Sequence, residues 1–215
     1  MGLLDQMFLV GTYLLAMAAL WLLKSRNDGT RNGHHSDYYH GVAFAVLGIA
    51  SLLLSIFGWG ILGIMGSGTS NKLVAIVSSL IPFSWATALI SKYFPRYERF
   101  FLGLMVLGLA LITASRFMDA PLMARIVYPV FHSTAAIVVI ATPLIAAKKG
   151  LMNFHFVSVS VGGALISAAG ISLAFLSAGK QLLFFSQDVV LMIFGPLLFA
   201  VIVLYFWGLV QGEKT

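Results

Sequence analysis

Apolar residues gather along this chain into seven runs, and polar residues fill the short gaps between them. A helix needs about 20 predominantly apolar residues to cross a hydrocarbon core. On that measure the runs predict transmembrane helices over about 3–23, 41–65, 73–92, 100–117, 125–147, 155–178 and 184–208. Pro82, Arg116 and the pair Pro129 and Pro143 interrupt the middle three. Proline is tolerated inside a membrane helix where neighbouring helices or hydroxyl side chains satisfy the freed carbonyls.

Two of these runs open on related sequence. HGVAFAVLG at 40–48 returns as HFVSVSVGG at 155–163, sharing His40/His155, Val42/Val157, Val46/Val161 and Gly48/Gly163. The echo predicts a duplicated unit, three helices on either side of a linking fourth and both copies running in the same direction. Pro82 and Pro196, in the third and seventh runs, are a further correspondence. In the sixth run Ser160, Ala164, Ala168 and Ser172 recur at a spacing of four. Such a small-residue stripe lets a neighbouring backbone approach and predicts that this helix is the most central.

Composition agrees with the pattern. The chain is 60% hydrophobic and 9% charged with a mean hydropathy of +0.98, against about 45–50% apolar and 25% charged in soluble domains. The expectation is an all-α integral membrane protein, one polytopic domain over residues 1–215, because the gaps are too short for a separate folded unit. Its start, MGLLDQMFLVG, lacks the basic region of a signal peptide, so the first run is expected to be a retained helix.

The formal charge of +6 would suggest nucleic acid in a soluble protein. Here the Lys and Arg residues flank helices, where they set orientation and meet anionic headgroups, so no nucleic-acid partner is expected. Nine of them (Lys24, Arg26, Arg31, Lys92, Arg96, Arg99, Lys148, Lys149, Lys214) fall on one face and four (Lys72, Arg116, Arg125, Lys180) on the other. The positive-inside rule then predicts an outside N-terminus and a cytoplasmic C-terminus in the cell membrane. With no cysteine, the chain has no disulfide and no thiolate metal site.

Candidate chemistry is sparse. His40 and His155 open the second and sixth runs from one side, and two facing imidazoles at one depth are what a bis-histidine b-type haem requires. His34 and His35, in the loop RNGHHSDYYHG with Asp37, are candidate metal ligands, as is His132. His132 is also the deepest ionisable residue. Tyr128 lies one turn before it, with Arg116, Asp119 and Arg125 in the adjoining outer turn, a setting that suits a ligand or proton-handling group. Met118, Met123 and His132 together could take Cu(I). Asp188, near the outer end of the seventh run, can pair with one of these arginines.

Several chemistries are excluded. No lysine lies in the last run to hold retinal, and no HExxH, GxSxG or phosphate-binding glycine loop is present. The glycine-rich GWGILGIMGSGTSNK reads as an outer turn. Three functions remain. The leading expectation is an accessory or structural subunit of a larger membrane complex, respiratory or otherwise redox, without catalytic activity of its own, meeting the lipid bilayer and other membrane subunits or copies of itself. The alternatives are a haem-carrying electron-transfer subunit using His40 and His155, and a small-solute facilitator whose midplane offers only hydroxyls such as Ser51, Ser55, Ser78, Ser79, Ser84, Thr87, Thr113 and Thr142.

Overall fold

The computed structural model describes residues 1–29, 35–59, 72–118, 121–177 and 187–212. Among them are seven α-helices: α1 (Leu3–Gly29), α2 (His35–Phe57), α3 (Lys72–Tyr93), α4 (Glu98–Phe117), α5 (Pro121–Lys148), α6 (Val157–Ser177) and α7 (Gln187–Gln211). Short 3-10 turns, Pro95–Tyr97 and Phe154–Phe156, lead into α4 and α6. Among the described residues six stretches are long and apolar enough to cross a bilayer: Leu3–Ser25, His35–Phe57, Ala75–Tyr93, Pro95–Phe117, Arg125–Lys148 and Val189–Gln211. α6, VSVSVGGALISAAGISLAFLS, is apolar along its length as well. This is a multi-pass helical membrane protein, and its exposed leucines, isoleucines and phenylalanines face lipid.

The helices form a ring. α1 packs on α2, α2 on α3, α3 on α5, α5 on α6, α6 on α7, and α7 returns to α1. α4 stands outside, packed against α3 and α5. Lipid tails are as apolar as leucine, so close packing rather than hydrophobic burial holds such helices together. At two glycines side chains of a neighbouring helix pack directly onto the backbone. A β-carbon on Gly48 would lie 3.0 Å from Met17 Cε and 3.1 Å from Ala16 Cβ, on α1. One on Gly163 would lie 2.8 Å from Val139 Cγ1, on α5.

Several boundaries differ from the sequence reading. α2 begins at His35, not 41, which places His40 inside the helix and not at its lip. It ends at Phe57 because Gly58 takes a left-handed φ of 60° and its N–H caps the Leu54 carbonyl at 2.8 Å. The glycine-rich stretch beyond, 60–71, lies outside the described residues. α1 continues past its apolar run to Gly29, since charged residues propagate a helix as well as apolar ones do. The prolines of α3, α5 and α7 are accommodated within unbroken helices.

The small-residue stripe of α6 does not make it central. Ser160 is buried and donates to the Ile140 carbonyl at 2.7 Å, whereas Ala164 and Ala168 lie on the exposed side. Gly162 and Gly163 supply the closer-packing face, so α6 is an ordinary member of the ring between α5 and α7. The ends of α6 and α7 are tied together on the basic face. Asn153 donates its backbone N–H to the Gly212 carbonyl at 2.9 Å and its side-chain amide to the Gln211 carbonyl at 3.4 Å.

Candidate functional site

The interior of the ring is closed by aromatic rings. His40 and Phe44, one turn apart on α2, both present edges or faces to Trp85 of α3, with centroids at 4.7 Å and 5.2 Å and planes at 70° and 74°. Tyr205 of α7 also meets Trp85, with centroids at 4.3 Å and planes at 42°. All four side chains are buried. Edge-to-face contact of this kind sets the positive ring edge against the negative face and contributes about 0.5–1.5 kcal/mol per pair beyond area burial. Since α3 and α7 do not flank one another in the ring, the Trp85–Tyr205 contact reaches across its interior.

Two polar atoms in this interior have no hydrogen-bond partner among the described residues: the indole Nε1 of Trp85 and the hydroxyl of Ser51. Ser51 lies seven residues beyond Phe44, about 10 Å along α2 at 1.5 Å per residue. Most other interior hydroxyls are occupied within their own helices. Thr12, Ser79 and Thr87 donate to the carbonyls of Phe8, Ala75 and Phe83 at 2.7–2.8 Å. An unpaired buried N–H costs about 1–3 kcal/mol. A group that offers an acceptor to Trp85 would recover that cost.

The echoed histidines have separate surroundings. His40 is 2% exposed beneath Trp85, while His155 is exposed and stands edge-on to Trp207 at 6.0 Å and 86°. Each leans on a tryptophan, His40 of α2 on one in α3 and His155, in the turn before α6, on one in α7. A b-type haem between them would need both imidazoles aimed at one iron at one depth, whereas His40 is enclosed against Trp85 and His155 is exposed. The residues as placed do not fit that group.

A second polar cluster lies in the seam of α3, α4 and α5, toward the α4–α5 turn. The Arg116 guanidinium sits 5.9 Å over the Tyr128 ring, and Tyr128 stacks on His132 at 5.1 Å with planes 20° apart. The Tyr128 and Ser78 hydroxyls are 3.4 Å apart. Arg116 Nε and His132 Nδ1 are buried without a partner among the described residues. The sequence grouping of Arg116, Tyr128 and His132 is thus brought together. Of its other members, Arg125 is exposed near the start of α5, Asp119 lies outside the described residues, and Asp188 falls in the first turn of α7. Met118 is exposed and Met123 half-buried.

His35 belongs to the opposite end. Its Nδ1 is 3.1 Å from Glu98 Oε1, which also accepts from the Tyr39 hydroxyl at 3.2 Å, so the start of α2 is joined to the start of α4. His34 lies outside the described residues, and His35 and His132 sit at different ends of the bundle. Among the described residues no three His, Asp or Glu side chains converge as metal ligands would.

Sequence reading missed Trp85, Phe44 and Tyr205. Tyr205, near the end of α7, is 3% exposed in the interior. Trp85 carried a usable signal: it is a tryptophan well inside an apolar run, where the indole N–H has no water to meet. Compared with known proteins, the chain matches no family model, no curated sequence and no solved structure.

Proposed function

We propose that the chain is a small-solute facilitator of the cell membrane, built from two parallel three-helix units, α1–α3 and α5–α7, linked by α4. Helix order around the ring supports the repeat. Stepping on by three members turns the sequence α1–α2–α3–α5–α6–α7 into itself with the units exchanged. The echoed glycines support it independently: Gly48 seats on the first helix of its unit, α1, and Gly163 on the first helix of its own, α5. The two histidine–tryptophan edge contacts, from α2 to α3 and from the turn before α6 to α7, run between corresponding parts within each unit.

The observation that carries the functional reading is the Trp85–Tyr205 contact, where the last helices of the two units meet across the interior beside an unpaired buried indole N–H. In this reading the pair is a closed gate. Rocking of one unit against the other parts the rings, and a neutral solute bearing hydrogen-bond acceptors is received by Trp85 Nε1 and, further along, by Ser51. Parallel repeats about an axis along the membrane normal are an established transporter plan. The basic face, holding the α1–α2, α3–α4 and α5–α6 turns, is cytoplasmic in this proposal, with the N-terminus outside.

Proteoliposomes test the proposal by light-scattering stopped flow over a panel of neutral solutes: polyols, urea, hexoses and small heteroaromatics. At least one class should enter faster than into protein-free liposomes. Trp85→Phe, which keeps a ring but removes the donor, should slow that entry about tenfold, the value of one buried hydrogen bond. Rates equal to protein-free liposomes for every solute, from chain that is helical by circular dichroism, would overturn it. Stoichiometric copurifying polypeptides in that case would install the accessory-subunit reading in its place.

A further inference from the structure

We infer that the Arg116–Tyr128–His132 cluster is a binding site for the oxyanion headgroup of an amphiphile, independent of any solute path through the ring. The cluster has a charge and donors, and lies beside lipid-facing side chains. Arg116 supplies a permanent cation whose planar fork suits phosphate or carboxylate oxygens. Its Nε is buried and unpaired among the described residues, as is His132 Nδ1. Stacking of Tyr128 on His132 and of the guanidinium over Tyr128 fixes these groups in one column, and the Ser78 hydroxyl, 3.4 Å from that of Tyr128, holds the phenol end.

Placement argues for an amphiphile. Arg116 is in the last turn of α4 and Tyr128 seven residues into α5, so the column runs inward from the membrane surface. Around it Phe117, Leu122, Ile126 and Val130 are all more than half exposed and face lipid. A ligand arriving there passes between apolar side chains, and an acyl chain lies along them while its headgroup reaches the cation. Lys72, 5.7 Å over the Phe117 ring, adds positive charge at the same end. A half-buried arginine whose Nε is shut off from solvent is costly in a membrane helix unless an anion meets it, and an oxyanion from the adjoining leaflet meets it without leaving the headgroup layer.

Native mass spectrometry of the detergent-released full chain tests this with three probes: phosphatidylglycerol, phosphatidylcholine of the same acyl chains, and inorganic phosphate. One phosphatidylglycerol should be retained about tenfold more strongly than phosphatidylcholine, the scale of a charge-assisted hydrogen bond. Arg116→Gln should abolish that preference, and Arg116→Lys, which keeps charge without the fork, should retain part of it and serve as the folding control. Arg116-dependent retention of phosphate in place of lipid would support the site and assign it to a soluble anion. Equal phosphatidylglycerol retention by folded Arg116→Gln would overturn the inference. So would binding that appears only in Asp119→Asn, because Asp119 would then be the anion that occupies the site.

Discussion

Gly163 and Ala164 are consecutive on α6 and differ by one methyl group, yet they face different media. A β-carbon at Gly163 would lie 2.8 Å from Val139 Cγ1 and 3.4 Å from Ile140 Cγ1, whereas Ala164 is on the exposed side. Leucine at Gly163 must therefore push α5 away, a cost of about 1–3 kcal/mol for an overpacked site. Leucine at Ala164 meets lipid and should change stability by no more than about 0.5 kcal/mol. Thermal unfolding in detergent, followed by circular dichroism, separates the two variants, and equal melting temperatures would show that the α5–α6 seam is looser than described. Neither outcome was legible from residue type. In a soluble helix polarity tells the inner face from the outer, but here both faces are apolar, so the spacing of four through Ser160, Ala164 and Ala168 pointed to the wrong side.

Helix ends obey a different logic from helix middles. Hydropathy reports where lipid lies, and for that reason the seven runs were legible in the sequence, while the hydrogen-bond ladder ran on to Gly29 in α1 and started early, at His35, in α2. What stops a helix is local backbone chemistry. At the end of α5, Gly150 has φ 68°, its N–H bonds the Ala147 carbonyl at 3.0 Å, and the Leu151 N–H bonds the Ala146 carbonyl at 2.9 Å, the paired pattern of a Schellman motif. Any residue with a β-carbon is strained there, so Gly150→Val should destabilise by about 1–2 kcal/mol. The turn also positions Asn153 on the last carbonyls of α7, so the same variant should speed amide exchange near Gln211 and Gly212. Unchanged exchange at α7 would mean that the tie to Asn153 does not depend on the turn. The site clusters were partly legible for a related reason. Arg116, Tyr128 and His132 lie close in sequence across one turn, whereas Trp85 and Tyr205 meet only after the ring has closed.

For the whole molecule the open physical question is which face is inside, and the chain is convenient for asking it. It contains no cysteine, so single introduced cysteines report without background. Arg96, in the α3–α4 turn, and Met118, at the end of α4, are both exposed and sit at opposite ends of one helix. In intact cells an impermeant maleimide should modify Met118→Cys and spare Arg96→Cys until the membrane is opened; the reverse order would invert the proposed orientation. The ring geometry has a consequence for biogenesis as well. Because α1 is flanked by α2 on one side and α7 on the other, the earliest of the seven helices to leave the ribosome obtains its second neighbour only when the last has been inserted. Until then the flank holding Gly11, which finally receives the Phe199 ring, stays open to the bilayer or to an insertase. Assembly of this protein is thus a circle completed at its starting point, and a stall late in translation strands the first helix rather than the last.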